Sequence, residues 1–191
     1  MEDVRVGGKR RGDRVLGHDY LAHLEARDLA DLRAMREEAD QEEADLSYLR
    51  RLLQARLDLV QDEITRRRLG EPAPTDMVAH LTAVLTDETR TRPASQGAGR
   101  HRVVEPTNAG EQRRAVEQLV SNDLLTNLPD ASDGELTAAL EQLRDEETAV
   151  SERRHAVQHV SDALGNEIGR RYRDGQADVA DLLRGRSEPA N

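Results

Sequence analysis

From Asp28 to about Arg68, apolar side chains recur at threes and fours: Leu29, Leu32, Met35, Leu46, Leu49, Leu53, Leu57, Val60 and Ile64. No Pro or Gly interrupts them. The spacing predicts one amphipathic helix, about 60 Å long at 1.5 Å per residue. Asp28 with Asp31 suits its start, and Arg66, Arg67 and Arg68 before Gly70 suit the negative end of the helix dipole and a glycine stop. The pattern is weakest between Glu37 and Asp45, where the apolar positions shrink to alanine.

A second run begins with a capping box, Ser132-Asp133-Gly134-Glu135, and continues through Leu136, Leu140, Leu143, Val150, Val157, Val160, Leu164 and Ile168 to about Arg173, before Gly175. Between the two runs the chain changes character. Pro72, Pro74, Pro93 and Pro106 punctuate residues 69–131, and Ser95 to Gly99 has a flexible-loop composition. Two short helices fit there: Thr75 to about Leu85, and about Ala109 to Asn122 through Val116, Leu119 and Val120. Each is too short to stand alone and must dock on something. No alternating β-branched or aromatic run predicts a strand.

The expected fold is therefore all-α: a helical hairpin of two long helices with short accessory helices in the connector. The divisions are an N-terminal segment (1–27, partly disordered), a first long helix (28–68), the connector (69–131), a second long helix (132–174) and a C-terminal tail (175–191) with a short helix around Val179, Leu182 and Leu183.

Composition sharpens this picture. Leu, Ile and Val, with no Phe, supply only about 21% of the chain, close to the level at which highly charged sequences stop folding. One large core is excluded; narrow helix seams are not. The chain has no Cys, no Trp and no Phe, and a net charge of −10. Disulfide, thiol and Cys-zinc chemistry are thereby excluded, and so is an aromatic platform for single-stranded nucleic acid. The acidic balance disfavours direct DNA binding. No 18-residue apolar run or leader-like segment is present, so a cytoplasmic protein without a membrane span is expected.

The informative feature is a repeat. Displaced by 104 residues, Glu43, Ser47, Arg50, Gln54 and Asp58 fall on Glu147, Ser151, Arg154, Gln158 and Asp162. Glu42, Glu63, Ile64, Arg66 and Arg67 likewise fall on Glu146, Glu167, Ile168, Arg170 and Arg171. At about 100° per residue, the motif E-x3-S-x2-R-x3-Q-x3-D forms a polar stripe about 80° wide, beside the apolar seam of each helix. A solvated coiled-coil flank would interchange Glu, Lys and Arg freely, but would not repeat Ser and Gln in register. Simple duplication does not account for it either, because neighbours have diverged: Tyr48 against Glu152, Arg51 against His155, Leu57 against Ser161.

Identity concentrated on one arc points to a shared ligand. Arginine offers a forked donor set for phosphate or for guanine O6 and N7, and a carboxylate accepts from guanine N1–H and N2–H. If the helices pair antiparallel, an approximate two-fold axis relates the copies. A two-fold-symmetric, anionic, guanine-containing ligand would then be read twice.

Two copies of this motif on paired long helices resemble the RsiG family of actinobacterial anti-sigma factors, which bind c-di-GMP and sequester the sporulation sigma factor WhiG. Both copies match at all five positions. The resemblance implies an antiparallel coiled-coil hairpin holding a partially intercalated c-di-GMP dimer and, in that state, gripping a WhiG-type sigma factor. Under it Arg50 and Arg154 match the ligand charge, while Asp58 and Asp162 select guanine. The connector and termini carry no part of the motif.

Other candidates are weaker. His155 and His159 have the i, i+4 spacing of a helical zinc clamp but no third ligand nearby, so no metal is expected. The acid pairs Glu42/Glu43 and Glu146/Glu147 read as helix surface rather than catalytic carboxylates, and no nucleophile or phosphate-cradling glycine loop appears, so no enzyme is expected. The competing reading is a ligand-independent coiled-coil adaptor or structural interaction protein.

Overall fold

The computed structural model describes residues 8–72 and 104–175. They form α1 (Gly8–Val15), α2 (Leu29–Leu69), α3 (Ala109–Leu119), α4 (Asn122–Thr126) and α5 (Asp133–Arg173), with 3-10 turns at Leu24–Ala26 and Leu128–Asp130. No strand occurs among the described residues. The expected helix from Thr75 to Leu85 and the tail helix around Val179 lie outside them.

Local chemistry sets the ends of the long helices. Asp28 Oδ1 accepts from the Asp31 amide at 2.7 Å at the start of α2. The capping box before α5 closes in both directions: the Ser132 amide donates to Glu135 Oε2 at 2.8 Å, and the Glu135 amide donates to Ser132 Oγ at 3.2 Å. The Ser132 amide, and the Ser132 hydroxyl donating to the same Oε2 at 2.7 Å, hold the Glu135 carboxyl below the ordinary carboxylate range. Both helices stop at a glycine with positive φ, Gly70 at 69° and Gly175 at 70°, a conformation a side chain would strain.

By contacts the chain divides into two units, Met1–Ala44 with Arg154–Asn191, and Asp45–Arg153; each long helix contributes to both. In the first unit α2 and α5 run antiparallel: Arg33 donates to Tyr172 Oη, Ser161 Oγ bonds Asp40 at 2.5 Å, and Arg154 meets Glu43. In the second they are again antiparallel, with Arg50 on Glu147, Arg144 on Gln61 at 2.8 Å and Arg67 on Asp133. This is the expected helical hairpin. Its core is a seven-residue ladder, Leu32, Ala39, Leu46, Leu53 and Val60 on α2 and Leu136, Leu143, Val150, Val157 and Leu164 on α5, every member buried. A strict seven-residue repeat is the coiled-coil signature.

The short elements pack on α2. In the first unit, Arg11 Nε pairs with the buried Glu42 at 2.9 Å, Arg14 reaches Glu38, and Tyr20 Oη donates to the Met35 carbonyl at 2.9 Å. Within residues 8–27, Val15 is buried and these polar anchors tie the segment to α2. In the second unit, the buried Asp45 accepts from the Thr107 amide at 2.6 Å and its hydroxyl at 2.8 Å, Arg113 donates to Tyr48 Oη at 2.7 Å, and Arg56 donates to Asn122 at 3.0 Å. Val116 and Val120 are buried there. The alanine-weak stretch of α2 is helical throughout, and its buried acids, Glu42 and Asp45, are bonded from outside the long helices. The expected helix from Ala109 to Asn122 is broken at Val120, which turns extended so that Ser121 can cap α4 through the Leu124 amide.

The accessory contacts also account for part of the divergence between the repeats. Asp45 and Tyr48 hold the connector, and their counterparts Ala149 and Glu152 on α5 are exposed. The accessory elements break the internal symmetry, and the sequence diverges at Asp45 and Tyr48, although Glu42, which holds Arg11, keeps its counterpart Glu146.

Candidate functional site

All ten motif residues lie on the two long helices, Glu43 to Asp58 on α2 and Glu147 to Asp162 on α5. The sequence alone places each set of five on one stripe of its own helix. Side-chain bonding then interleaves them. In the second unit, Glu147 Oε1 accepts from Arg50 Nε at 2.9 Å, from Gln54 Nε2 at 3.2 Å and from Ser151 Oγ at 2.9 Å. In the first unit, Glu43 Oε1 accepts from Arg154 Nη1 and from Gln158 Nε2, both at 3.2 Å. Each glutamate of one copy therefore gathers the arginine and the glutamine of the other.

These clusters sit at the edge of the seam. Arg50 keeps 31% of its side chain exposed and Glu147 20%; for Arg154 and Glu43 the values are 16% and 29%. Such groups are held in place yet remain reachable from solvent. Ser47 and Asp58 are half-buried, and Asp162 is exposed. The Nε atom of Arg154 is buried without a hydrogen-bond partner, a donor whose desolvation a bound acceptor would relieve.

Burial pushes the Glu147 carboxyl upward, but the bonds from Arg50, Ser151 and Gln54 outweigh it and hold the group below the ordinary carboxylate range. The donor set thus consists of two arginines, two glutamines and two serines, with four carboxylates as acceptors. It can take phosphate and purine edges. Among the described residues no group of three His, Asp or Glu side chains is placed to hold a metal ion, and His155 and His159 are both exposed.

A further pair of clusters repeats in register. Glu63 accepts from Arg66 Nη2 at 2.6 Å and Arg67 Nε at 2.7 Å, and Glu167 accepts from Arg170 Nη2 at 2.7 Å and Arg171 Nε at 3.0 Å. From sequence these arginines read as simple helix caps. The bonds from Arg170 and Arg171 hold Glu167 at about 2, and Glu63 is also lowered, burial being outweighed by Arg66 and Arg67. A carboxyl whose folded pKa is depressed contributes stability above its unfolded value, near 4.3, and loses it as pH falls through the folded value. The melting temperature followed by circular dichroism should stay level from pH 7 to about 5 and fall steadily from about pH 4 towards pH 2. A melting temperature that rises on acidification over that lower range would contradict the assignment.

The family model described as RsiG-like matches residues 18–85 and 122–186, segments that contain both motif copies. No curated protein matches the chain.

Proposed function

The chain belongs to the RsiG-like family, and from that premise we propose that it is an anti-sigma factor that binds a c-di-GMP dimer on its duplicated polar face and, so loaded, sequesters a WhiG-type sigma factor to hold back a sporulation programme. One observation carries the reading: in both units, the glutamate of one motif copy holds the arginine and glutamine of the other. A ligand on either cluster touches both helices at once.

The residues suit the ligand in detail. Arg50 and Arg154 supply forked donors for phosphate or for guanine O6 and N7, and Asp58 and Asp162 accept from guanine N1–H and N2–H, which adenine lacks in that arrangement. Ser47, Ser151, Gln54 and Gln158 add donors and acceptors that adapt to the ribose-phosphate edge. A c-di-GMP dimer carries about four negative charges, and a chain of net −10 does not draw it in globally. The charge match is local, made by two placed arginines.

Regulation follows from linkage. A ligand shifts a protein towards the partner-binding state only by its differential affinity for that state. Bridging α2 and α5 through both copies favours the paired arrangement, and that arrangement is what the sigma factor recognises. A WhiG-type sigma factor should bind the purified protein at least tenfold more tightly with c-di-GMP saturating than without it, as read by interferometry. Equal affinity in both conditions would sink the mechanism.

One observation favours the ligand-independent adaptor: Arg50 and Arg154 already meet carboxylates within the chain. That reading requires partner binding to tolerate substitution of Ser47, Gln54, Ser151 and Gln158.

A further inference from the structure

We propose that Arg67 and Arg171 are positioning residues that fix the axial register on which the candidate ligand face depends; the inference rests on the functional reading just given. The buried ladder steps by sevens, from Leu32 to Val60 and from Leu136 to Leu164. Such an apolar series matches itself again after a slip of seven residues, about 10 Å along the axis, so it discriminates only weakly between registers. The sixth step of the ladder is arginine in both helices: Arg67 follows Val60, and Arg171 follows Leu164.

Neither arginine points its charge into an apolar layer. In the second unit, Arg67 is braced by Glu63 and donates to Asp133 Oδ1 at 2.6 Å and to the carbonyls of Leu128 at 3.0 Å, Pro129 at 3.2 Å and Ala131 at 2.7 Å. In the first unit, Arg171 is braced by Glu167 and donates to the carbonyls of Leu24 at 2.7 Å and Glu25 at 3.4 Å. Each thus grips the 3-10 turn that leads into the opposite long helix. Arg66 and Arg170 pair with the same glutamates but make no bond to those turns, which sets the clasp apart from ordinary helix-end charge.

A seven-residue slip in either sense would strip Arg67 and Arg171 of these acceptors, and in the sense that brings Arg67 to Leu136 and Arg171 to Leu32 it would set them against apolar side chains, a heavy penalty for a guanidinium. A single polar residue in a core position is a known way to choose one coiled-coil register, at some cost in stability. Each unit holds one clasp and one candidate half-site, Arg67 with Arg50 and Arg171 with Arg154, about 25 Å apart along the helix. The same slip would part Glu147 from Arg50 and Glu43 from Arg154.

The test uses the full chain, which has no cysteine of its own. Nitroxide labels at Asp40→Cys with Ser161→Cys, and separately at Gln61→Cys with Arg144→Cys, report register by electron–electron distance. The unsubstituted background should give one narrow distance for each pair. Arg67→Leu with Arg171→Leu should keep its helix content, add a second distance for a shift of about 10 Å, and raise the apparent Kd for c-di-GMP by the reciprocal of the fraction left in register. Adding c-di-GMP should draw the second population back. Arg67→Lys with Arg171→Lys, which keeps the charge but not the fork, should show a smaller second population and serves if the leucine variant fails to fold. A single unshifted distance in both variants overturns the proposal, whatever happens to affinity. If the second distance appears but the unsubstituted protein binds no c-di-GMP, the register assignment stands and the ligand assignment falls.

Discussion

Replacing Arg50 and Arg154 together by alanine should abolish measurable c-di-GMP binding while leaving helix content unchanged. A hydrogen bond to a charged group contributes about 1.5–3 kcal/mol, and about 1.4 kcal/mol is a factor of ten in affinity. Losing one such interaction in each half-site should therefore cost roughly 10² to 10⁴ in affinity, before Glu43 and Glu147, no longer matched by arginine, repel the phosphates. The fold is not at risk, because both arginines are partly exposed and the glutamates they release remain in reach of water. Each single variant should retain weak binding through the other half-site. Isothermal titration of the double variant, with circular dichroism as the control, decides the point; binding within threefold of the parent would remove the motif arginines from the site.

Saturating c-di-GMP should raise the melting temperature by about 5–10 °C. A ligand that binds only the folded state, at a free concentration of 100 times Kd, contributes about 2.7 kcal/mol, and for a chain of this size each kcal/mol moves the midpoint by about 2–4 °C. The effect is large in relation to what holds the hairpin together. Its ladder includes Ala39, and buried Glu42, Asp45, Glu63 and Arg171 stand where a stronger core would be apolar. A ligand linking α2 and α5 adds the contacts that this seam lacks. The double arginine variant supplies the internal control: its melting temperature should not respond to the nucleotide, and a shift equal to the parent's would place binding elsewhere on the chain.

Much of this architecture is legible in the chain itself. Ser132 and Glu135 announce the start of α5, Gly70 and Gly175 the ends of the long helices, and Leu46, Leu53, Val60, Val150, Val157 and Leu164 the buried seam. The polar stripe is legible as well, since its angular width follows from spacing alone. What spacing does not reveal is which stripe meets which: that Glu147 holds Arg50 and Glu43 holds Arg154 depends on the register of two helices, a property of neither sequence run by itself.

The accessory contacts were hidden for a different reason. Arg11, Asp45, Tyr48, Arg56 and Thr107 act through polar anchors, and hydrophobic periodicity carries no signal for those. One signal was present, in that the repeat lapses at Tyr48 against Glu152, where only the first copy bonds the connector. Arg67 and Arg171 were visible as helix-end charge, but their place one step beyond Val60 and Leu164 on the ladder becomes meaningful only when burial is known.

Whether the duplicated face reads a guanine dinucleotide through both helices is decided by calorimetric titration of the purified protein with c-di-GMP, repeated in the presence of a WhiG-type sigma factor. The expected result is saturable binding of a pair of c-di-GMP molecules per chain, no binding of the adenine analogue, and tighter nucleotide binding when the sigma factor is present, because coupling between two ligands is reciprocal. No heat of binding in either titration, or equal affinity for the guanine and adenine dinucleotides, would contradict it.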